Sequence, residues 1–503
     1  MNRPILWMSG SVVLLIALLS MMIRGNQLAS SDDGSTEPLT LYCAASNRTV
    51  VESILAAYKK EFDRNVQVQY GPSQTLLSTI EVGRTGDLFL PADESYLNLA
   101  SAKGLIAEVL PVATMRVGVA VRKDFPVELH SLAQLQGDRF RLVQANPETA
   151  AIGKVTQAVL DQADQWVKTS DATVAFRATV TEVANDIVIG AADAGFVYDA
   201  VLHPYGDLRF VALPELKNAS SRVSIGVLDD SPQPSAALHL ARYIAANDRG
   251  LKHYAKQGFT VASGDAWADV PELSIFAGSM LRPAIDETIT RFEIREGVKV
   301  NRIYNGCGIL VAQMQAGQHP DAYFACDSEF MDQVHDLFRD PVSVSENELV
   351  ILVQKGNPHG IASLRDLTRP ELRVGIGHEK QCAMGWLTQN TFRESGIQKE
   401  IMPNVTVQLP TGDMLINQMQ AGSLDAAVAY LSNAAGAADF IDPIRIQGLE
   451  CSVAAQPWAV SKDSKFPQTA NRLFARICSA DSQDVFTSEG FRWQLDLSAT
   501  GSE

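Results

Sequence analysis

The 503-residue chain is predicted to fold as two consecutive α/β modules behind an N-terminal apolar helix, and three observations predict it. Short apolar runs alternate with amphipathic stretches of helical period, the pattern of a parallel sheet covered by helices. The alternation also occurs twice. A shift of 234 positions carries Leu39 onto Leu273, Arg48 onto Arg282, Tyr70 onto Tyr304, Asp87 onto Asp321 and Asp93 onto Asp327. Further along, a shift of 232 carries Pro126 onto Pro358, Gly153 onto Gly385, Asp193 onto Asp425 and Tyr198 onto Tyr430. Identities that keep their order through one small change of register mark a tandem duplication. Finally, Ile5 to Ile23 is an uncharged apolar run between Arg3 and Arg24.

That run is the first element. Its 19 residues span about 28 Å as a helix, close to a bilayer core and longer than the apolar stretch of most signal peptides. Residues 1–24 are therefore expected to be a signal anchor, or a signal peptide if cleaved near Leu28 to Ser30. Residues 25–37 are small and polar and read as a flexible tether. The remainder is then expected outside the cytoplasm, in the periplasm or its equivalent. Residues 38–263 form module 1, 264–270 a linker, and 271–497 module 2. Each module is large enough to bury a substantial core. With 42 Lys and Arg against 58 Asp and Glu, the net charge is -16, which disfavours nucleic acid as a partner.

Within a repeat, a strand (Leu39–Ala44; Leu273–Ala277) leads through a small-residue turn into an amphipathic helix carrying Val50, Val51, Ile54, Leu55 and Tyr58 in the first copy. A second strand follows (Val66–Tyr70; Val300–Tyr304), then another turn and helix, then a third strand at Asp87-Leu-Phe-Leu-Pro. Parallel sheets bind ligands beyond the carboxyl ends of their strands, where helix N-termini point. Ser46 in YCAASNRT and Ser73 in YGPSQT occupy two such joints. The turn Asn146 to Gly153 is a third, and Tyr198 ends a strand with a phenol donor. Hydroxyls, exposed N–H groups and helix dipoles facing one cleft suit a tetrahedral oxyanion. Taken singly, each serine reads more readily as an ordinary helix cap, and only the combination of joints points to a ligand.

The sequence is identified as resembling a known family at this point: the molybdate-binding, oxyanion-binding periplasmic substrate-binding proteins of ABC importers. AASNRTVVESILAAYKKEF, GPSQTLLSTIEVGRTGDLFLPADESYL, ANPETAAIGK and GAADAGFVYDAV carry it in family order across nearly all of module 1. AGSMLRPAIDETITRF, NGCGILVAQMQAGQHPDAYFACDSEFM and AGSLDAAVAYLSNA carry it through module 2. The resemblance implies two type II periplasmic-binding-protein modules, each of two α/β lobes joined by a hinge and closing on a buried ligand. It implies no catalysis, no cofactor and no metal other than within the oxyanion, with molybdate or tungstate as the ligand and an ABC permease as the partner. By motif, Ser46, Ser73, Ala150, Ala151, Val180 and Tyr198 match the ligand-holding positions.

Module 2 departs from that pattern. Ser46 falls on Met280, beside Ser279; Ser73 falls on Cys307; Val180 falls on Gly412; Tyr430 keeps its type. Losing two hydroxyl donors is expected to weaken a desolvated oxyanion site. The second module then binds a different ligand, binds more weakly, or serves as a structural partner. Another class of function stays open: a membrane-tethered sensory or scaffold module on the same fold. An enzyme built on Asp87 and Asp93 has the least support, since strand-end aspartates usually cap turns. Outside the cytoplasm a disulfide among Cys307, Cys326, Cys382, Cys451 and Cys478 is expected, with the pairing open.

Overall fold

A computed structural model describes residues 37–495. The helix expected at residues 5–23 lies outside them; among the described residues no helix is long and apolar enough to cross a membrane.

The first repeat contains ten strands: β1 (Leu39–Ala44), β2 (Val66–Gly71), β3 (Leu88–Leu90), β4 (Ile106–Arg122), β5 (Leu142–Ala145), β6 (Thr173–Arg177), β7 (Ala194–Tyr198), β8 (Leu208–Val211), β9 (Ser220–Leu228) and β10 (Thr260–Val261). Their order is β2-β1-β3-β9-β4-β7-β5-β6, with β8 and β10 also on β4. β1 pairs in parallel with both β2 and β3. A strand flanked on both sides and covered on both faces must be apolar nearly throughout, and LTLYCA is. β2 is the edge strand and alternates half-buried with exposed residues.

β4 divides the repeat into two lobes. Ile106 to Arg116 pair with β9, whereas Val117 to Arg122 pair with β7 and β8. The chain crosses between lobes at Arg116–Val117 and returns at Ala219–Ser220, where the Val117 N–H donates to the Ala219 carbonyl at 2.8 Å. Only two backbone connections thus span the lobes along this ladder.

The second repeat copies the first: β11 (Glu272–Gly278), β12 (Lys299–Asn305), β13 (Ala322–Phe324), β14 (Val342–Gln354), β15 (Val374–Gly377), β16 (Val405–Leu409), β17 (Ala426–Tyr430), β18 (Ile441–Arg445), β19 (Val453–Val460) and β20 (Arg492–Trp493). The order is β12-β11-β13-β19-β14-β17-β15-β16. The helices Arg48–Phe62 and Arg282–Glu296 end alike, on Asp63 at φ 50° and Gly297 at φ 65°. Both residues sit in the left-handed conformation that closes a helix, and glycine adopts it without steric cost.

Several repeated identities serve the scaffold. Asp87 accepts the Thr40 N–H at 2.8 Å and the Ser231 hydroxyl at 2.6 Å; Asp321 accepts the Ser274 N–H and the Ser464 hydroxyl at the same distances. Arg141 grips Asp193 through its N–H and guanidinium, and Arg373 grips Asp425 identically. Asp93 accepts the Ser95 N–H at 3.0 Å. Each of these carboxylates has a structural employment, and the idea of Asp87 with Asp93 as a paired acid and base finds no geometric support.

The two repeats meet through their first lobes. Glu296 is 1% exposed and receives a bidentate bond from Arg472 at 2.7 and 2.9 Å, with Arg242 of the first repeat 3.6 Å away. Glu108 of the first repeat accepts from Arg295 and from Arg476 at 2.6 Å. Asp265, in the linker, accepts the Gln468 and Thr469 N–H groups at 2.7 and 3.0 Å. Glu296, Glu108 and Arg242 are buried, so each depends on its partners.

Candidate functional site

In the first repeat all six residues singled out by sequence line one cleft between the lobes: Ser46, Ser73, Ala150, Ala151, Val180 and Tyr198. Each is carried there by a strand–helix joint. Ser46 lies in the single 3-10 turn Ala45–Asn47 after β1, so it does not cap the helix that follows. Ser73 is the first residue of the helix Ser73–Gly83, capped by Pro72. Ala150 is the cap, and Ala151 the first residue, of the helix Ala151–Gln162. Val180 opens the helix Val180–Val188 behind Thr179, whose hydroxyl accepts the Glu182 N–H at 3.2 Å. Tyr198 ends β7.

The first N–H groups of a helix have no partner within it, and its N-terminus carries partial positive charge. Three helices of nine residues or more therefore aim donors at this cleft. Among the residues lining it none is charged. Dipoles and neutral hydroxyls of this kind favour a negative charge without supplying a formal positive one.

The hydroxyls differ in their unliganded state. Ser46 Oγ is buried without a hydrogen-bond partner. Ser73 Oγ accepts the Ala92 N–H at 3.1 Å, leaving its own proton to donate. Tyr198 is fully buried; burial pushes its phenol well above the ordinary tyrosine range, so it stays protonated. Its oxygen lies 2.7 Å from Ser221 Oγ. Ser221, together with Asn47, whose buried side chain has no partner on either polar atom, escaped the sequence reading. The only hint of Ser221 is a hydroxyl in the apolar phase of β9.

Outward, Ser46, Gly71, Pro72 and Thr179 also border a groove of about 410 Å³. At its rim the Arg48 guanidinium stacks 4.4 Å from the Tyr70 ring centre, as Arg282 stacks 4.6 Å from Tyr304 in the second repeat.

The second repeat brings Ser279, Met280, Gly412 and Tyr430 into the corresponding cleft, with Cys326, Cys382 and Asn433. Cys307 requires a correction. It is disulfide-bonded to Cys326 and is not itself among the residues lining the cleft. The Cys326 N–H donates to Cys307 Sγ at 3.1 Å, the bond that Ala92 makes to Ser73. The backbone arrangement thus survives, but the sulfur has no proton to offer. Cys382, Cys451 and Cys478 are free, and so is Cys43 in the first repeat. The Cys382 sulfur caps the helix Ala383–Glu394 by accepting the Gly385 N–H at 3.4 Å.

A family model described as bacterial extracellular solute-binding protein matches the chain twice, at residues 39–260 and 273–492. A putative binding protein of Haemophilus influenzae is 27% identical over 225 residues, 44% of this chain and 90% of that protein. The molybdate-binding protein ModA of Mycobacterium bovis is 28% identical over 221 residues, 43% of this chain and 83% of that protein. Among solved structures, the periplasmic molybdate-binding protein of Azotobacter vinelandii aligns at 17% identity with a TM-score of 0.40, over 45% of this chain and 100% of that one.

Proposed function

The chain belongs to the bacterial extracellular solute-binding proteins, and from that premise we propose that its first module captures a tetrahedral oxyanion, molybdate or tungstate, and delivers it to an ABC permease. The observation that carries this reading is the convergence of Ser46, Ser73, Tyr198 and three helix N-termini on one cleft without charged lining. The names of the molybdate-binding relatives point the same way. Residues 38–263 and 271–497 are the two modules in this reading, and 264–270 joins them. The protein works outside the cytoplasm, and residues 5–23 tether it to the membrane unless they are removed.

Closure follows from the lobes. The connections at Arg116–Val117 and Ala219–Ser220 act as the hinge. The structure is in the closed arrangement: Ser46 and Ser73 of the first lobe face Ala151, Val180 and Tyr198 of the second, and the Gln74 N–H donates to the Thr149 carbonyl at 3.4 Å between the lobes. A bound anion would give the buried Ser46 hydroxyl, which has no partner within the protein, a group to donate to. An anion with four bare oxygens satisfies such a set of donors, whereas one bearing a proton finds only hydroxyl oxygens, each of which must withhold its own proton from the anion to accept it.

The test is calorimetric titration of the protein with molybdate, tungstate, sulfate and phosphate in parallel. Tight binding of molybdate or tungstate, lost in a Ser46→Ala, Ser73→Ala double variant, is the expected result. No heat with either ion, or heat unaffected by both substitutions, overturns the reading.

A further inference from the structure

The second cleft differs from the first by more than the loss of two serines, because it has acquired a hydrogen-bond acceptor. Val180 of the first repeat corresponds to Gly412, and Val201 to Asn433. The two exchanges are coupled. A Cβ on Gly412 would lie 2.2 Å from Asn433 Oδ1, so the glycine makes room for the carboxamide. Asn433 lines the cleft and is 9% exposed. The Asn433 side chain lies beside the Asp413 carboxylate and favours its charged form. A carboxylate can only accept, so the NH₂ end faces Asp413. The remaining atom, Oδ1, is buried without a partner.

The phenol has changed as well. In the first repeat Met115 of β4 pairs with Ser221, which holds Tyr198. In the second, Asn347 of β14 pairs with Ala454 at the matching position. Tyr430 therefore loses its hydroxyl partner, and its oxygen is buried and unpaired. The helices Cys307–Gln315, Ala383–Glu394 and Gly412–Gln420 still open toward the cleft, which Gly306, Ala383 and Gly412 line. The site thus presents donors for an anion and one fixed acceptor. A bare oxyanion would set a lone pair against Asn433 Oδ1, whereas a protonated one would donate to it.

We propose that the second cleft binds a tetrahedral anion that retains a proton, hydrogen phosphate being the simplest, while the first takes a fully deprotonated one. This rests on reading the first cleft as an oxyanion site. The two modules then sort tetrahedral anions by protonation, with Asn433 as the residue that sets the choice.

The experiment is calorimetric titration of the full-length Ser46→Ala, Ser73→Ala variant with inorganic phosphate, methyl phosphate, sulfate and molybdate. At about pH 8 inorganic phosphate keeps a proton, whereas a phosphate monoester has lost its second, which has a pKa of about 6. Phosphate is expected to bind once per chain, at least about tenfold tighter than the other three ions. Asn433→Val, which restores the residue of the first module, is expected to weaken phosphate by about tenfold or more. In an otherwise unaltered chain the same substitution should leave molybdate binding intact, which also reports folding. Asn433→Asp keeps an acceptor and should keep phosphate ahead of sulfate. The proposal is overturned if no phosphate binds, if sulfate, molybdate or methyl phosphate matches it, or if Asn433→Val leaves phosphate affinity unchanged. Failure of the first-module reading shows separately, as absent molybdate and tungstate heat in the unmodified protein.

Discussion

Replacing Ser46 with alanine should move affinity and stability in opposite directions. Ser46 Oγ is buried and has no hydrogen-bond partner within the protein. A buried polar group without a partner costs about 1–3 kcal/mol of desolvation. Removing it should leave the unliganded module as stable as before, or more stable by about 1 kcal/mol once the lost oxygen's packing is counted. On the proposed reading the same hydroxyl donates to the anion, so its removal should cost about 1–3 kcal/mol of binding, roughly 5- to 150-fold in Kd. Ser73→Ala should behave differently. Ser73 Oγ receives the Ala92 N–H at 3.1 Å, and both residues are buried. That substitution strands an N–H, so stability should fall by about 1–3 kcal/mol along with affinity. Thermal or urea unfolding of both variants without ligand, set beside molybdate titration, separates the cases. If Ser46→Ala destabilises the unliganded protein as much as Ser73→Ala does, the hydroxyl is structural and the reasoning fails. Unchanged affinity in Ser46→Ala would equally remove it from the site.

Three further outcomes follow from the geometry. Tyr198→Phe leaves the Ser221 hydroxyl buried without its partner and should cost about 1–3 kcal/mol, whereas Tyr430→Phe removes an already unpaired oxygen and should be neutral or mildly stabilising; paired denaturation curves decide. Glu296→Gln leaves Arg242 and Arg472 facing each other with their charge uncompensated, and should lower the stability of the joined modules by about 3–5 kcal/mol, read as an earlier unfolding transition. Burial raises the Asp327 carboxyl from 3.8 to about 6, so the folded protein holds this proton more tightly than the unfolded chain. Its contribution to stability is therefore complete below about pH 4 and lost as pH rises to about 6. The slope should vanish in Asp327→Asn, and an unchanged pH profile there would contradict it.

Much of this architecture can be read from the chain because its causes are local or repetitive. The apolar β1 and the alternating β2 announce a central and an edge strand, and Tyr198 over Tyr430 fixes the register of the copies. Repetition alone, however, does not separate scaffold from site. Asp87 and Asp321, or Asp193 and Asp425, recur because each secures backbone N–H groups in the same way. In the first module Ser46, Ser73, the turn holding Ala150 and Ala151, and Tyr198 are legible because strand ends and strand–helix joints confine where they can lie, whereas Val180 is reached only through the family resemblance. What stays hidden depends on pairs distant in sequence. Ser221 meets Tyr198 only through strand register, and Asn433 fills space that Gly412 vacates. Cys307 is legible as a missing hydroxyl, but its bond to Cys326 needs three-dimensional proximity.

The ionic contact around Glu108 and Glu296 has a mechanical consequence. It joins β4, the helix Pro234–Ala245, the helix Arg282–Glu296 and the helix Pro467–Ile477, all elements of the two first lobes. Both ends of the described chain belong to that same half, since β1 opens it and β20 closes onto β14. The half makes a common base, and the lobes built on β5–β8 and β15–β18 each join it along a single long strand, β4 or β14. If the lobes close on ligands as proposed, occupancy of each cleft would be displayed in the posture of its own lobe. A partner touching both could distinguish none, one and two occupied clefts in a single encounter.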